Sequence, residues 1–267
     1  MSRFDFTGCT ALITGASAGL GAEFARQLSE RAGTIVLVAR REDRLNALRD
    51  ELIARAPNLK VAIRATDLAN AAEIDALCVW LQRENIAIDL LINNAGLGDL
   101  GPFGTSDARR VEAMVKVNVG ALTALTHRLL PPMIERRQGA ILNVSSSAGF
   151  LPIAGMAVYA ATKAYVTSFS EALRTELHGS GVQVTALCPG PVHTEFTSVA
   201  NRTAKAGKFA PEFTHVSAAA VVRAALHAIE RNQPSVVPGI VMKLSMLLVR
   251  LTPMPVLRLA ARASARD

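Results

Sequence analysis

The residues best suited to move a proton in this sequence are Tyr159 and Lys163, set four positions apart in Tyr159-Ala-Ala-Thr-Lys163. The small and apolar residues around them favour a helix, and on a helix that spacing puts phenol and ammonium side by side. A phenol at its ordinary pKa of ~10 is a poor acid or base near neutrality. An adjacent cation stabilises the phenolate and is expected to lower that pKa towards the working range. Upstream, Ile141-Leu-Asn-Val144 reads as a strand running into Ser145-Ser146-Ser147, at the carboxyl edge where open α/β sheets bind ligands. A hydroxyl there can hold a substrate oxygen. Singly, serines after a strand are commonly turn or capping residues, and a Tyr-x-x-x-Lys spacing arises by chance in many helices. Their conjunction in this order carries the information.

A second constellation lies near the N-terminus, in Thr14-Gly15-Ala16-Ser17-Ala18-Gly19-Leu20-Gly21. It follows a strand-like run and opens an amphipathic segment. Glycines let the backbone turn tightly against a dinucleotide pyrophosphate, and the following helix offers free amides and the positive end of its dipole. The second apolar run ends in Val38-Ala39-Arg40-Arg41, where an NAD site of this type would place a carboxylate for the ribose 2′-hydroxyl. A guanidinium in that place grips a 2′-phosphate, which points to NADP(H). Arg40 is the primary candidate and Arg41 the secondary one; the alternative is a solvated start to the next helix.

These groups need a frame. Short apolar runs at 9–14, 34–39, 61–65, 90–93, 140–144, 182–187 and 235–237 read as buried strands, and segments of helical spacing separate them. Such alternation calls for a doubly wound, Rossmann-like α/β fold: a parallel sheet of seven strands with helices on both faces. We find no linker or repeat that would divide the chain, so a single domain over 1–267 is expected. It carries a substrate loop at 193–215 and an apolar, basic extension at 240–267.

Bulk properties narrow the function. Half of the 267 residues are apolar and 19% are charged, so a large core is available and disorder is excluded. The formal charge is +7, yet five basic residues from Ile240 onward face Asp267 alone, and the body shows no basic stripe interleaved with aromatics. Nucleic-acid binding is not expected. Cys9, Cys78 and Cys188 are widely spaced and odd in number, and the first residues lack a signal-peptide core, which fits a cytoplasmic protein. The five histidines have no metal-ligand spacing, so no metal is expected. His193 stands out because it lies in the substrate loop, and Trp80 reads as core.

From Thr10 to Pro238 the sequence resembles the short-chain dehydrogenase/reductase family. The marks are Thr14-Gly15-x-x-x-Gly19-x-Gly21, Asp67, Asn93-Asn94-Ala95-Gly96, Asn118, Ser145-Ser146, Tyr159-x-x-x-Lys163 and Pro189-Gly190-Pro191-Val192-x-Thr194. The resemblance implies an NADP-dependent oxidoreductase interconverting a carbonyl and a secondary alcohol. Tyr159 would be the acid/base, Lys163 would hold the nicotinamide ribose and lower the tyrosine pKa, and Asn118 would position a water behind Lys163. Ser146 would orient the substrate oxygen, since the family's serine precedes its tyrosine by thirteen positions. Gly15, Ser17, Gly19, Leu20 and Gly21 would surround the pyrophosphate. Asp67 and Leu68 would meet the adenine, Asn94 the adenosine ribose region, and Val192 with Thr194 the carboxamide. Many NADP-preferring members carry a basic residue where this chain has Ala18, so preference would rest on Arg40 and Ser17. The family also implies a homodimer or homotetramer through the helices around 111–130 and 159–177.

Phe196, Val199, Phe209 and Phe213 in the loop point to an apolar carbonyl or alcohol substrate. A catalytically silent NADP-binding regulator, or a membrane-surface scaffold of the same fold, is the rival reading; intact Ser146, Tyr159, Lys163 and Asn118 argue against it. The extension is too interrupted to span a bilayer and reads as two short amphipathic helices broken near Pro253. Either it buries Leu244, Leu247, Leu248 and Leu251 as a roof over the cleft, which is the favoured expectation, or it contacts an anionic bilayer surface peripherally.

Overall fold

The computed structural model describes residues 3–201 and 214–264, and side chains up to residue 259. Seven strands form one parallel sheet: β1 (Thr10–Thr14), β2 (Thr34–Ala39), β3 (Lys60–Ala65), β4 (Leu90–Asn93), β5 (Gly139–Val144), β6 (Val182–Leu187) and β7 (Ser235–Val236). Their spatial order is β3-β2-β1-β4-β5-β6-β7. The expected strands are all present, with ends displaced by one residue at most. β1 pairs with both β2 and β4, so the winding reverses there and leaves a crevice at their carboxyl ends.

Alternation along each strand sorts side chains to two cores. Ala11 and Ile13 of β1 join Phe24 and Leu28 of α1 (Gly19–Leu28), Leu45 and Leu52 of α2 (Glu42–Arg55), and a helix over 218–230. Leu12 and Leu91 face the opposite way, towards Leu77 of α3 (Ala71–Arg83) and the helices over 122–135 and 157–176. Leu12 and Leu77 are fully buried, and truncating either to alanine is expected to cost ~2–5 kcal/mol.

The long helix crossing the second core is not regular. α4 (Ala108–Val115) passes through a π-helical turn at Lys116–Ala121 into α5 (Leu122–Glu135). That turn carries Asn118, and such bulges commonly mark functional positions. α6 (Ala157–Glu176) follows β5, and α7 (Glu195–Ala200), capped by Thr194, lies inside the expected loop. α8 (Ala218–Glu230) precedes β7.

The extension forms α9 (Ile240–Leu251) and α10 (Met254–Ser264), with the break where Pro253 was expected to put it. Its burial differs from the favoured roof. Leu244, Leu247, Leu248 and Leu251 are exposed, and α9 instead turns Met242 and Met246 towards the body. α9 is apolar around most of its circumference, so packing against Gly190 and Phe150, rather than periodicity, chooses the inner face.

Candidate active site

The glycine turn after β1 is held from below. Gly15 and Gly19 adopt φ of +65° and +54°, left-handed conformations that a side chain would strain. A Cβ on Gly21 would lie 2.3 Å from the Gly15 carbonyl oxygen, so the helix start is pressed onto the turn. Thr14 Oγ1 accepts from the amides of Asn94 and Ala95 at 2.9 and 3.0 Å, and Asn94 Nδ2 donates to the Thr14 carbonyl at 2.8 Å. Asn94 thereby braces the turn. Ala18 caps α1 without a side-chain hydrogen bond, which leaves the helix amides facing the crevice. The two residues that follow β2 are Arg40 and Arg41, where an NAD site of this type would carry a carboxylate. These features fit a dinucleotide with a 2′-phosphate.

A cleft of about 940 Å³ runs from this turn to Tyr159 and Lys163 of α6. Ser17, Leu20, Arg40, Arg41, Asp67, Leu68, Ser146, Val192 and Thr194 also line it, and Thr194 lies against the glycine turn, 3.3 Å from where a Cβ on Gly19 would stand. Arg41 donates to Ser17 Oγ through Nε and Nη2 at 3.3 and 3.2 Å, whereas Arg40 is exposed at the cleft. Asp67 Oδ1 accepts from the Ala69 amide at 3.0 Å, which orders the corner after β3.

At the catalytic end the three serines separate by contact. Ser145 Oγ donates to the Lys163 carbonyl at 2.8 Å and is buried; the Ser147 amide donates to the Pro189 carbonyl at 2.8 Å. The Ser146 hydroxyl, which accepts from the Ala148 amide at 3.1 Å, is the one that acts on the Tyr159 phenol and lowers its pKa. Lys163 Nζ lies 5.7 Å from the Tyr159 ring centre and donates to the Val144 carbonyl at 2.8 Å. Asn118, 1% exposed, accepts from the Leu97 amide at 2.8 Å and donates to Thr162 Oγ1 at 3.0 Å, tying the loop after β4 to α6. A Cβ on Gly96 would stand 3.4 Å from Lys163 Nζ and 3.5 Å from Asn118 Oδ1, so all three meet at one point. Asn93 of the same motif is not part of the cleft; it is buried and donates to Thr126 and Asn143.

The electrostatics differ from the expectation for the phenol. Burial pushes Tyr159 up to about 12, against the Ser146 hydrogen bond that pulls it down. Burial also pulls the Lys163 ammonium down to about 8, opposed by the nearby Cys188. Enclosure outweighs the Ser146 contact, and the Lys163 ammonium is directed at the Val144 carbonyl. The resting arrangement is a protonated tyrosine, ready to donate.

A family model described as short chain dehydrogenase matches residues 9–205. The chain belongs to the short-chain dehydrogenase family. The NADP-dependent 3-hydroxy acid dehydrogenase YdfG of Salmonella typhi is 42% identical over 190 residues, 70% of this chain and 75% of that protein. A short-chain dehydrogenase from Sphingobium yanoikuyae, solved with NADPH, superposes with TM-score 0.80 at 34% identity over 90% of this chain and 92% of its own. The bulky-bulky ketone specific alcohol dehydrogenase of Comamonas testosteroni gives 0.75 at 29% identity over 92% and 95%.

In this short-chain dehydrogenase, further side chains meet at the cleft. Glu195, in the first turn of α7, accepts from Arg41 Nη1 at 3.1 Å and from Arg44 Nη1 at 2.6 Å, and the Arg44 and Arg41 guanidinium groups hold its carboxyl below the ordinary range. α7 is thus tied to the start of α2. Phe196, one residue on, packs on the Tyr159 ring at 5.4 Å, while Met242 and Met246 of α9 line the same cleft. His193 stacks on His215, their rings 4.4 Å apart at the cleft wall. Phe209 and Phe213 lie outside the described residues. Trp80 is half-buried at the second core, with the Arg64 guanidinium over its ring.

Proposed function

We propose that this NADP(H)-dependent oxidoreductase reduces bulky, apolar ketones to secondary alcohols in the cytoplasm. The observation that carries the reading is the apolar lining of the cleft around Tyr159, from Leu97, Leu100, Ile153, Met156 and Phe196, with Met246 also lining the cleft. Among the described residues lining the cleft around Tyr159, Lys163 is the one lysine or arginine, and its ammonium is engaged by the Val144 carbonyl. A small hydroxy acid would need a cation for its carboxylate; a bulky ketone needs apolar area. The name of the Comamonas relative, an alcohol dehydrogenase of bulky-bulky ketones, agrees with this reading more closely than that of YdfG.

A bound NADPH would supply the hydride for the carbonyl carbon. The chain's own groups do the rest. Ser146 and Tyr159 hydroxyls hold the carbonyl oxygen, and Tyr159 gives it a proton as negative charge develops there. Lys163 supplies positive charge behind the phenol, and Asn118 fixes the loop and helix that hold both. Arg40 and Arg41 grip the 2′-phosphate, and the α1 amides the pyrophosphate. Intact proton-transfer groups in mutual reach favour turnover over a silent regulator.

The oligomer is a homodimer or homotetramer. A second, shallow apolar groove of about 450 Å³ on α4, α6 and the π-helical turn, with Phe103 63% exposed and Val115 45% exposed beside it, supports pairing of these helices with their copies. The free, buried cysteines support a reducing compartment. Steady-state NADPH oxidation against matched panels of diaryl or cyclic ketones and of small keto acids tests the substrate class. Higher kcat/KM on the bulky ketones is expected, and preference for the keto acids would overturn it.

A further inference from the structure

The last two helices leave an apolar surface beside the mouth of the cleft. The inner face of α9 is committed: Met246 is buried, and a Cβ on Gly190 would lie 2.6 Å from Met242 Cε. Arg250 sits over the Phe150 ring at 4.6 Å and fixes the end of the helix. With that face inward, Leu244, Leu247, Leu248 and Leu251 point outward, 55–74% exposed. Met254, Val256 and Leu259 of α10 are exposed as well. So much exposed apolar surface is a liability in water unless something covers it.

Charge selects the cover. Between Gln233 and Arg266 the sequence contains Lys243, Arg250, Arg258, Arg262 and Arg266 and no Asp or Glu. A second copy of the same face, set against it by a two-fold axis, would bring cations together with no acid to answer them. An anionic lipid surface answers both properties, taking apolar side chains below the headgroups and lysines and arginines among them. α9 and α10 are 12 and 11 residues long, and among the described residues no helix is long and apolar enough to cross a membrane.

We propose that α9 and α10 are an interfacial anchor that docks this protein on anionic bilayers, with Leu244, Leu247, Leu248 and Leu251 inserted and Lys243 and Arg258 at the headgroups. Because Met242 and Met246 line the cleft from the other side of the same helix, docking sets the cleft mouth against the lipid. An apolar ketone dissolved in the bilayer then reaches Tyr159 without crossing bulk water. That consequence rests on the apolar-substrate reading; the docking does not.

The test is flotation of the full-length protein with vesicles of phosphatidylglycerol mixed with phosphatidylcholine, and with vesicles of phosphatidylcholine alone. The protein is expected to float with the anionic vesicles and to be released by salt. Lys243→Glu combined with Arg258→Glu should weaken binding at least about 25-fold, each cation near an anionic surface contributing about fivefold. Leu247→Ser combined with Leu248→Ser should abolish flotation while kcat/KM on a water-soluble ketone stays unchanged, because these side chains are exposed and do not line the cleft. Three results would each overturn the proposal. They are no flotation by the wild type, flotation indifferent to both double variants, and a mass by light scattering that falls in Leu247→Ser/Leu248→Ser while the wild type ignores vesicles. The last would make the face a subunit contact. None of these outcomes depends on which ketone the enzyme reduces.

Discussion

Raising the pH should silence the reductase through Lys163 rather than through Tyr159. Burial lowers the ammonium from 10.5 to about 8 and raises the phenol from 10.0 to about 12. The drop at Lys163 disfavours its charged form by ~3 kcal/mol. Its positive charge is therefore present below about pH 8 and lost as the pH rises through that value, whereas the phenol keeps its proton until about pH 12. Reduction needs both a protonated phenol and the cation behind it, so the lysine sets the limit. With NADPH saturating, kcat/KM for the ketone reports ionisations of the enzyme that captures and protonates it. It should be level up to about pH 7 and fall about tenfold per pH unit above the lysine pKa. Lys163→Arg, whose guanidinium does not titrate in this range, should lose the break whatever its absolute rate. A break near pH 10, or a rate that rises with pH, would refute the argument that burial outweighs the neighbouring groups.

Two further outcomes concern cofactor choice. Arg40→Ala and Arg41→Ala should each weaken NADPH binding about 10- to 100-fold and leave NADH binding nearly unchanged, since only NADPH presents a phosphate to the guanidinium; equal losses by isothermal titration would remove the residue from the 2′-phosphate site. Glu195→Gln should tighten NADPH modestly, by up to about fivefold at low salt, because the carboxylate that accepts from Arg41 and Arg44 competes with the phosphate. Weaker NADPH binding by that variant would show that the tie between α7 and α2 assists the cofactor instead.

The sheet was legible because strands covered on both faces read as short runs of Val, Ile and Leu, as at Thr34–Ala39 and Val182–Leu187. The neighbourhood of Tyr159 and Lys163 was legible through one helical turn, whereas Ser146 was singled out from its two neighbours only by the family resemblance. Three features were not. The π-helical turn around Asn118 is a shift of backbone hydrogen bonding that no residue type announces. The Glu195 to Arg41 tie joins positions 154 apart in sequence, and an acidic residue early in α7 reads equally well as an ordinary helix-dipole partner. The orientation of α9 was misjudged because methionines and leucines both recur at helical spacing, so only contact with Gly190 and Phe150 distinguishes inner from outer face.

The most direct test of the account is Tyr159→Phe, which keeps the ring packed on Phe196 and removes the proton that must reach the carbonyl oxygen. NADPH consumption on a verified bulky ketone should fall at least about a hundredfold while NADPH affinity, read by its fluorescence, is unchanged. Turnover near the wild-type rate would contradict it.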